Sequence, residues 1–511
     1  MKFLIAAIVF AALMLYPSLN SGWIHDDAFN SDISGTLARQ NVSLIDLLHT
    51  GIVVWAKSGR FVPLNFILTF SLFDFMHGNL ILYKSIIVVG VLINIIIYYY
   101  FIKLLSGSSA FATLSILLVP IFFQFRPTYA DPILAFNLLL PFLFSCLLAA
   151  AILMIYYIKY RKNIYIVLSW LAYLSALLTY EVAYPFFIFQ FLIAYFYQKD
   201  VLQSIKLTLP YAVLSFGAGF FVLLLRLTHK IPVVVNDGLT PVAAAYTLNI
   251  NILTYIVTLV RQCFAAIPLS YSAAYFEHFT LGGAFVIVLF IILFMLISKI
   301  PPSAGIDLKF ISIIGLALWI LPGLMIATSP KYQDGLAWGL GYLPVYISYF
   351  GASLMVACFI YSLSGKSRKV MLSIAIILAL AGGITYSTNE NLIEDTNQYW
   401  KYPRAELENG LKNGLFKGVP NGSILLIKQN YIWDIPGFYL LYAGKNLKYI
   451  GSNNPFAQGY LAGFPEIKES YNFSPQDNIF YLDYTADYVF LKKVKSLAAS
   501  NQSISSVAFW D

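Results

Sequence analysis

The chain is built around a succession of apolar runs about 20 residues long, the length a helix needs to cross the hydrocarbon core of a bilayer. They fall near residues 3–19, 80–102, 108–125, 133–158, 164–180, 184–197, 207–227, 281–298, 309–328, 341–362 and 370–387, which predicts about eleven crossings. Backbone polar groups in lipid must be satisfied within the segment, so such runs fold as helices. The expected fold class is a polytopic α-helical membrane protein. Composition agrees: 59% of the 511 residues are hydrophobic and only 11% charged, with a mean hydropathy of +0.75, whereas soluble domains carry about a quarter charged residues.

The net charge of +8 does not point to nucleic acid, because the basic residues sit in short loops between apolar runs, where they orient helices. Lys2, Lys103, Lys159-Tyr160-Arg161-Lys162, Lys199 with Lys206, Lys299 with Lys309, and Lys366-Ser367-Arg368-Lys369 lie on alternate sides of successive spans. All six groups are then cytoplasmic. This register requires that residues 244–268 do not cross. Arg261 and Pro268 within that stretch suit an interfacial or re-entrant helix. Met1 to Leu19 reads as an uncleaved first span rather than a cleaved signal.

The expected organisation is a transmembrane module over 1–388, with its first external loop at 20–79, and an extracytoplasmic α/β domain over 389–511. In the loop, 41–55 and 63–76 have the spacing of amphipathic surface helices, the second opening on Pro63. In the C-terminal domain, Pro403 to Phe416 reads as a helix. Ser423 to Lys428, Ile479 to Asp483 and Tyr488 to Leu491 read as strands. Cys146, Cys263 and Cys358 lie in separate apolar segments without metal-ligand spacing and read as packed thiols.

Two adjacent carboxylates, Asp26 and Asp27, follow the first span directly in His25-Asp26-Asp27-Ala28-Phe29-Asn30. Carboxylates at the mouth of a transmembrane helix are costly to desolvate and mark a candidate functional site. One of them can accept a proton from an acceptor hydroxyl as general base; capping of the following helix is the simpler alternative. Arg60 and Arg126 are candidates for phosphate, since a guanidinium offers fixed charge-assisted hydrogen bonds. Lys331 is a similar cation, and Arg261 within an apolar stretch must find an anion or a polar cavity. Glu181, between Tyr180 and Val182, is either a structural carboxylate or one that orients substrate, and Asp131 before Pro132 reads as a cap. His25 lacks partners for a zinc site. Nucleotide-binding, metalloprotease and hydrolase signatures are absent.

The cytoplasmic N-terminus, the long first external loop with His25-Asp26-Asp27, the closing Gly59-Arg60-Phe61-Val62-Pro63 and Thr179-Tyr180-Glu181-Val182-Ala183 together resemble the GT-C superfamily of membrane glycosyltransferases. That group includes protein O-mannosyltransferases and the lipid A aminoarabinose transferase. The resemblance implies that Asp26 and Asp27 form the catalytic carboxylate site, and that Arg60 and Glu181 are site residues. Asp-Asp stands here in place of the Asp-Glu of the protein O-mannosyltransferases, and the WWDYG signature of oligosaccharyltransferases is missing.

The function expected from this resemblance is inverting transfer of a sugar from a polyprenyl-phosphate carrier to a cell-envelope glycan, lipid or protein, as in polysaccharide biosynthesis at a bacterial inner membrane. An O-antigen-type polymerase using diphosphate-linked units and a lipid-linked saccharide flippase are the alternatives. The sequence assigns no cofactor, and a divalent cation held by carboxylates stays open. The implied partners are the lipid-linked donor, the acceptor and membrane lipids.

Overall fold

The computed structural model describes residues 2–57, 59–126, 131–136, 138–228, 251–300, 305–329, 332–333, 336–363, 367–428, 431–452, 478–497 and 507–509. The chain is a polytopic helical membrane protein in its membrane-embedded part. Among the described residues, seven helices are long and apolar enough to cross a bilayer, and five more apolar helices are shorter.

The first helix, α1 (Lys2–Leu15), enters a loop that carries α2 (Asp26–Asn30), α3 (Ile33–Gln40), α4 (Leu44–Lys57) and α5 (Pro63–Met76). Pro63 stands in the first turn of α5, where a missing N–H costs nothing. The bundle continues with α6 (Leu80–Ser106), α7 (Ser109–Leu118), α8 (Leu139–Tyr160), α9 (Asn163–Leu177), α10 (Phe187–Gln198) and α11 (Val201–Thr228). A 3-10 turn, Glu181–Phe186, separates α9 from α10. Then come α12 (Ile252–Phe264), α13 (Leu281–Ile297), α14 (Leu308–Ala327), α15 (Val345–Ser362) and α16 (Arg368–Trp400). At 13 residues α12 is about 20 Å long. Of the 244–268 stretch, residues 244–250 lie outside the described residues.

The basic ends of several helices gather at one end of the bundle. Tyr197 at the end of α10 donates to the Leu104 carbonyl at 2.9 Å, and the Lys159 ammonium lies 5.3 Å from the Tyr197 ring. Lys199 reaches Asp307 before α14 at 4.0 Å. At the other end of α6, Tyr83 donates to Asp27. About 30 Å of helix separates Tyr83 from Leu104.

The helix α16 runs 33 residues without a break, about 50 Å, through the expected boundary at 388. It leads into α17 (Tyr402–Lys412) and a mixed sheet with α18 (Pro436–Ala443). Strand order is β2 (Tyr449–Ser452), β1 (Ile424–Ile427), β3 (Ile479–Tyr484), β4 (Val489–Leu497), β5 (Val507–Phe509). The β1 strand pairs in parallel with both β2 and β3, while β3–β4 and β4–β5 are antiparallel. Strands β2 and β5 add to the three expected from the sequence.

This sheet shares a core with the first loop. Trp23, Ala28, Ile33, Leu37 and Phe73 pack in one cluster with Leu407, Phe416, Trp433, Phe438 and Leu482. The approach is closest where α3 crosses α18: a Cβ on Gly35 would fall 2.0 Å from the Gly437 carbonyl oxygen. Two glycines thus permit backbone contact that any side chain would prevent.

Candidate functional site

The first helical turn after α1 splits the acidic pair. Asp26 is exposed, whereas Asp27 is 2% exposed. Successive helical residues point about 100° apart, so one carboxylate faces outward and the other inward. The inner carboxylate, Asp27, accepts from the Tyr83 hydroxyl and from the Phe136 amide, the latter at 2.6 Å. Beneath it the buried ammonium of Lys84 donates to the Leu134 carbonyl at 2.7 Å and lies within electrostatic range of Asp27 and Asp131. His25 caps this turn at φ 52°, ψ −132°, a conformation rarely taken by L residues and typical of constrained sites. Its ring lies 5.3 Å from that of Trp400 at the end of α16.

Arg60 and Glu181 meet at this same end. The guanidinium donates Nε to Oε1 at 2.8 Å and Nη2 to Oε2 at 3.0 Å, the fork geometry only arginine offers. It also stacks 4.6 Å from the Trp55 ring centroid. Burial pushes the Glu181 carboxyl up, but Arg60 on both oxygens and Arg226 nearby hold it below the usual carboxylate range. Arg226, in the last turn of α11, donates to the Gly59 carbonyl at 2.8 Å. Gly59 has φ 75°, and a Cβ there would lie 2.2 Å from the Arg226 stem.

Three tyrosines complete the constellation. The Tyr342 hydroxyl is hydrogen-bonded with those of Tyr180 and Tyr332 and lies within electrostatic range of Arg60 and Asp26. The Tyr332 and Tyr342 rings are 4.2 Å apart. The Tyr342 backbone is clamped by Gln262, whose amide donates to its carbonyl at 3.1 Å and accepts from its N–H at 2.8 Å. Asp26, Arg60 and Glu181 therefore share one polar rim with Tyr180, Tyr332 and Tyr342.

Other candidates stand apart from this rim. Arg126 is 1% exposed, bonded to the Tyr349 hydroxyl and the carbonyls of Ala265 at 2.8 Å and Gly339 at 3.5 Å. That arrangement braces three segments. Asp131 caps its own turn, accepting from Ile133 and Leu134 at 2.7 and 2.8 Å and from the Arg126 amide at 2.8 Å. Arg261 donates to the Leu336 carbonyl at 3.1 Å and lies 5.6 Å from the Trp338 ring. Lys331 lies outside the described residues. Among the described residues no group of three or more His, Cys, Asp or Glu side chains is placed to hold a metal ion.

Sequence reasoning missed Arg404. Its guanidinium, 2% exposed, bonds Asp32 at 2.9 Å, Glu408 at 2.8 Å, Ser31 at 2.8 Å and the Ala28 carbonyl at 3.2 Å. It ties α17 to the helical turn that carries Asp26 and Asp27. Glu408 four residues after Arg404 was the available signal, but the same pattern is common on solvated helix faces. No protein-family model matches this chain, and no curated protein matches it.

Proposed function

We propose that the protein is an inverting glycosyltransferase of GT-C type, moving a sugar from a polyprenyl-phosphate carrier to a cell-envelope acceptor. The observation that supports it most is the division of the acidic pair: an exposed Asp26 on a polar rim, backed by an Asp27 locked to Tyr83 and Phe136. In this reading Asp26 takes the proton of the acceptor hydroxyl as that oxygen bonds to the anomeric carbon. The bond from the anomeric carbon to the phosphate oxygen breaks on the opposite face, and the electron pair leaves with the polyprenyl phosphate. Arg60 and Arg226 supply positive field for the developing phosphate charge. Glu181 orients Arg60, the tyrosine hydroxyls contact sugar hydroxyls, and Arg126 and Arg261 brace the surrounding loops.

The finer topology belongs to the same proposal. Alongside the seven longer helices, α7, α9, α10 and α13 complete about eleven crossings in a bacterial inner membrane. The N-terminus and basic ends are cytoplasmic, and the polar rim and C-terminal sheet are extracytoplasmic. The test is reconstitution in proteoliposomes with radiolabelled sugars on synthetic polyprenyl phosphates. Release of polyprenyl phosphate with label in an acceptor or in water supports the proposal. Movement of intact lipid-linked sugar between leaflets without bond cleavage would replace it with the flippase reading.

A further inference from the structure

The C-terminal sheet reverses direction of growth at β1: the chain adds β2 on one side of β1 and then β3 on the other. In open sheets with parallel strands, the crevice beyond the carboxyl ends at such a switch point is where ligands bind. Lys428 directly follows β1, and Asp483 and Tyr484 end β3. Lys428 Nζ meets Asp483 Oδ2 at 2.8 Å, while the other oxygen of Asp483 is enclosed and accepts no hydrogen bond among the described residues. Buried acceptors are rarely left so.

Aromatic surface surrounds this pair. Tyr431 stacks on Trp433 at 4.6 Å and 8°, and lies in electrostatic contact with Asp483 and Tyr488. Phe490 stands opposite Asp483 across the β3–β4 ladder, and both Tyr488 and Phe490 are exposed. Aromatic faces suit the C–H face of a pyranose, and the half-exposed Lys428 ammonium donates to its hydroxyls. From this crevice a row of rings leads to the catalytic turn: Trp433 to Trp400 at 6.2 Å, then Trp400 to His25 at 5.3 Å.

We propose that this crevice, formed by Lys428, Tyr431, Asp483, Tyr488 and Phe490, is a saccharide-binding site. Binding of sugar there stands on the crevice alone; its role as a subsite for a growing glycan acceptor rests on the transferase reading. The full chain in nanodiscs is applied to an array of defined tri- to hexasaccharides containing neutral, amino and acidic sugars. The wild type and Asp26→Asn should retain the same subset, while Asp483→Asn and Tyr488→Ala should lose retention by about tenfold or more. Tyr488 lies in an exposed turn, so its removal leaves the sheet core untouched. Retention of no sugar by the wild type, unchanged retention in both crevice variants, or loss in Asp26→Asn alone would overturn the proposal. Failure of transfer with retention intact would overturn only the transferase reading.

Discussion

Arg60 and Glu181, 121 residues apart in the chain, face each other in a two-point ion pair at 2.8 and 3.0 Å. The pair joins the end of the first loop to the turn between α9 and α10. It is only partly buried, with side-chain exposures of 24% and 15%, so its worth to stability is modest and its geometry is the more telling property.

Replacing Arg60 by Lys keeps the charge and loses the fork. Arg60→Lys and Glu181→Gln should each lower kcat/KM for sugar transfer by about tenfold, and the double variant no more than the worse single, because the two act as a unit. Steady-state kinetics in proteoliposomes decides this. Independent, multiplying losses would mean that the two residues serve separate tasks.

Arg404 and Asp32 are buried at 2% and 0% exposure. Removing Asp32 leaves the buried guanidinium without its innermost anion, so Asp32→Leu should cost about 3–5 kcal/mol, and the pair Arg404→Met with Asp32→Leu should recover most of it. Thermal unfolding in detergent measures both. A mild single variant would show that the ion pair is not what holds α17 to the first loop.

The Asp32 carboxyl is pushed up to about 7, chiefly by burial, against the pull of Arg404. Asp434 is pushed up to about 6, again by burial, against the donors Tyr431, Tyr484 and Tyr439. A carboxyl whose folded pKa exceeds the unfolded value of about 3.9 makes the folded state bind more protons in that window. The contribution of both groups is therefore greatest below about pH 4 and falls as pH rises towards 7. The melting temperature of Asp32→Asn should depend less on pH than that of the wild type over this range. An equal or steeper dependence in the variant would contradict the assignment.

Gly35 has no room for a side chain against Gly437. Gly35→Ala should destabilise the contact between α3 and α18 by about 1–3 kcal/mol and expose the sheet to protease. Gly418→Ala, where a Cβ meets nothing within 4 Å, is the control. Equal protection of both variants would place the seam between loop and sheet elsewhere.

The seven long apolar helices among the described residues and three strands were legible because apolar run length and period report directly on local structure. The location of the acidic pair was legible for the same reason, since it directly follows the first run. Which carboxylate faces out was not: that depends on Tyr83 and Phe136, distant in sequence and brought in by packing. Arg126 read as a phosphate candidate, because its partners Tyr349, Ala265 and Gly339 are backbone and side-chain groups that carry no sequence signal. The amides of Gln124, Gln262 and Asn389 fix loop segments between helices, and a lone amide in an apolar run reads as noise. The length of α16 was hidden because composition changes near residue 388 while the helix continues to Trp400.

In the proposed transfer Asp26, and not Asp27, is the base. Single-turnover transfer from a radiolabelled polyprenyl-phosphate sugar should fall about 10²–10⁴-fold in Asp26→Asn, with donor binding retained. Asp27→Asn should keep a larger share of the rate and lose thermal stability, because its partners are structural. Wild-type transfer in Asp26→Asn, or loss confined to Asp27→Asn, would contradict the account.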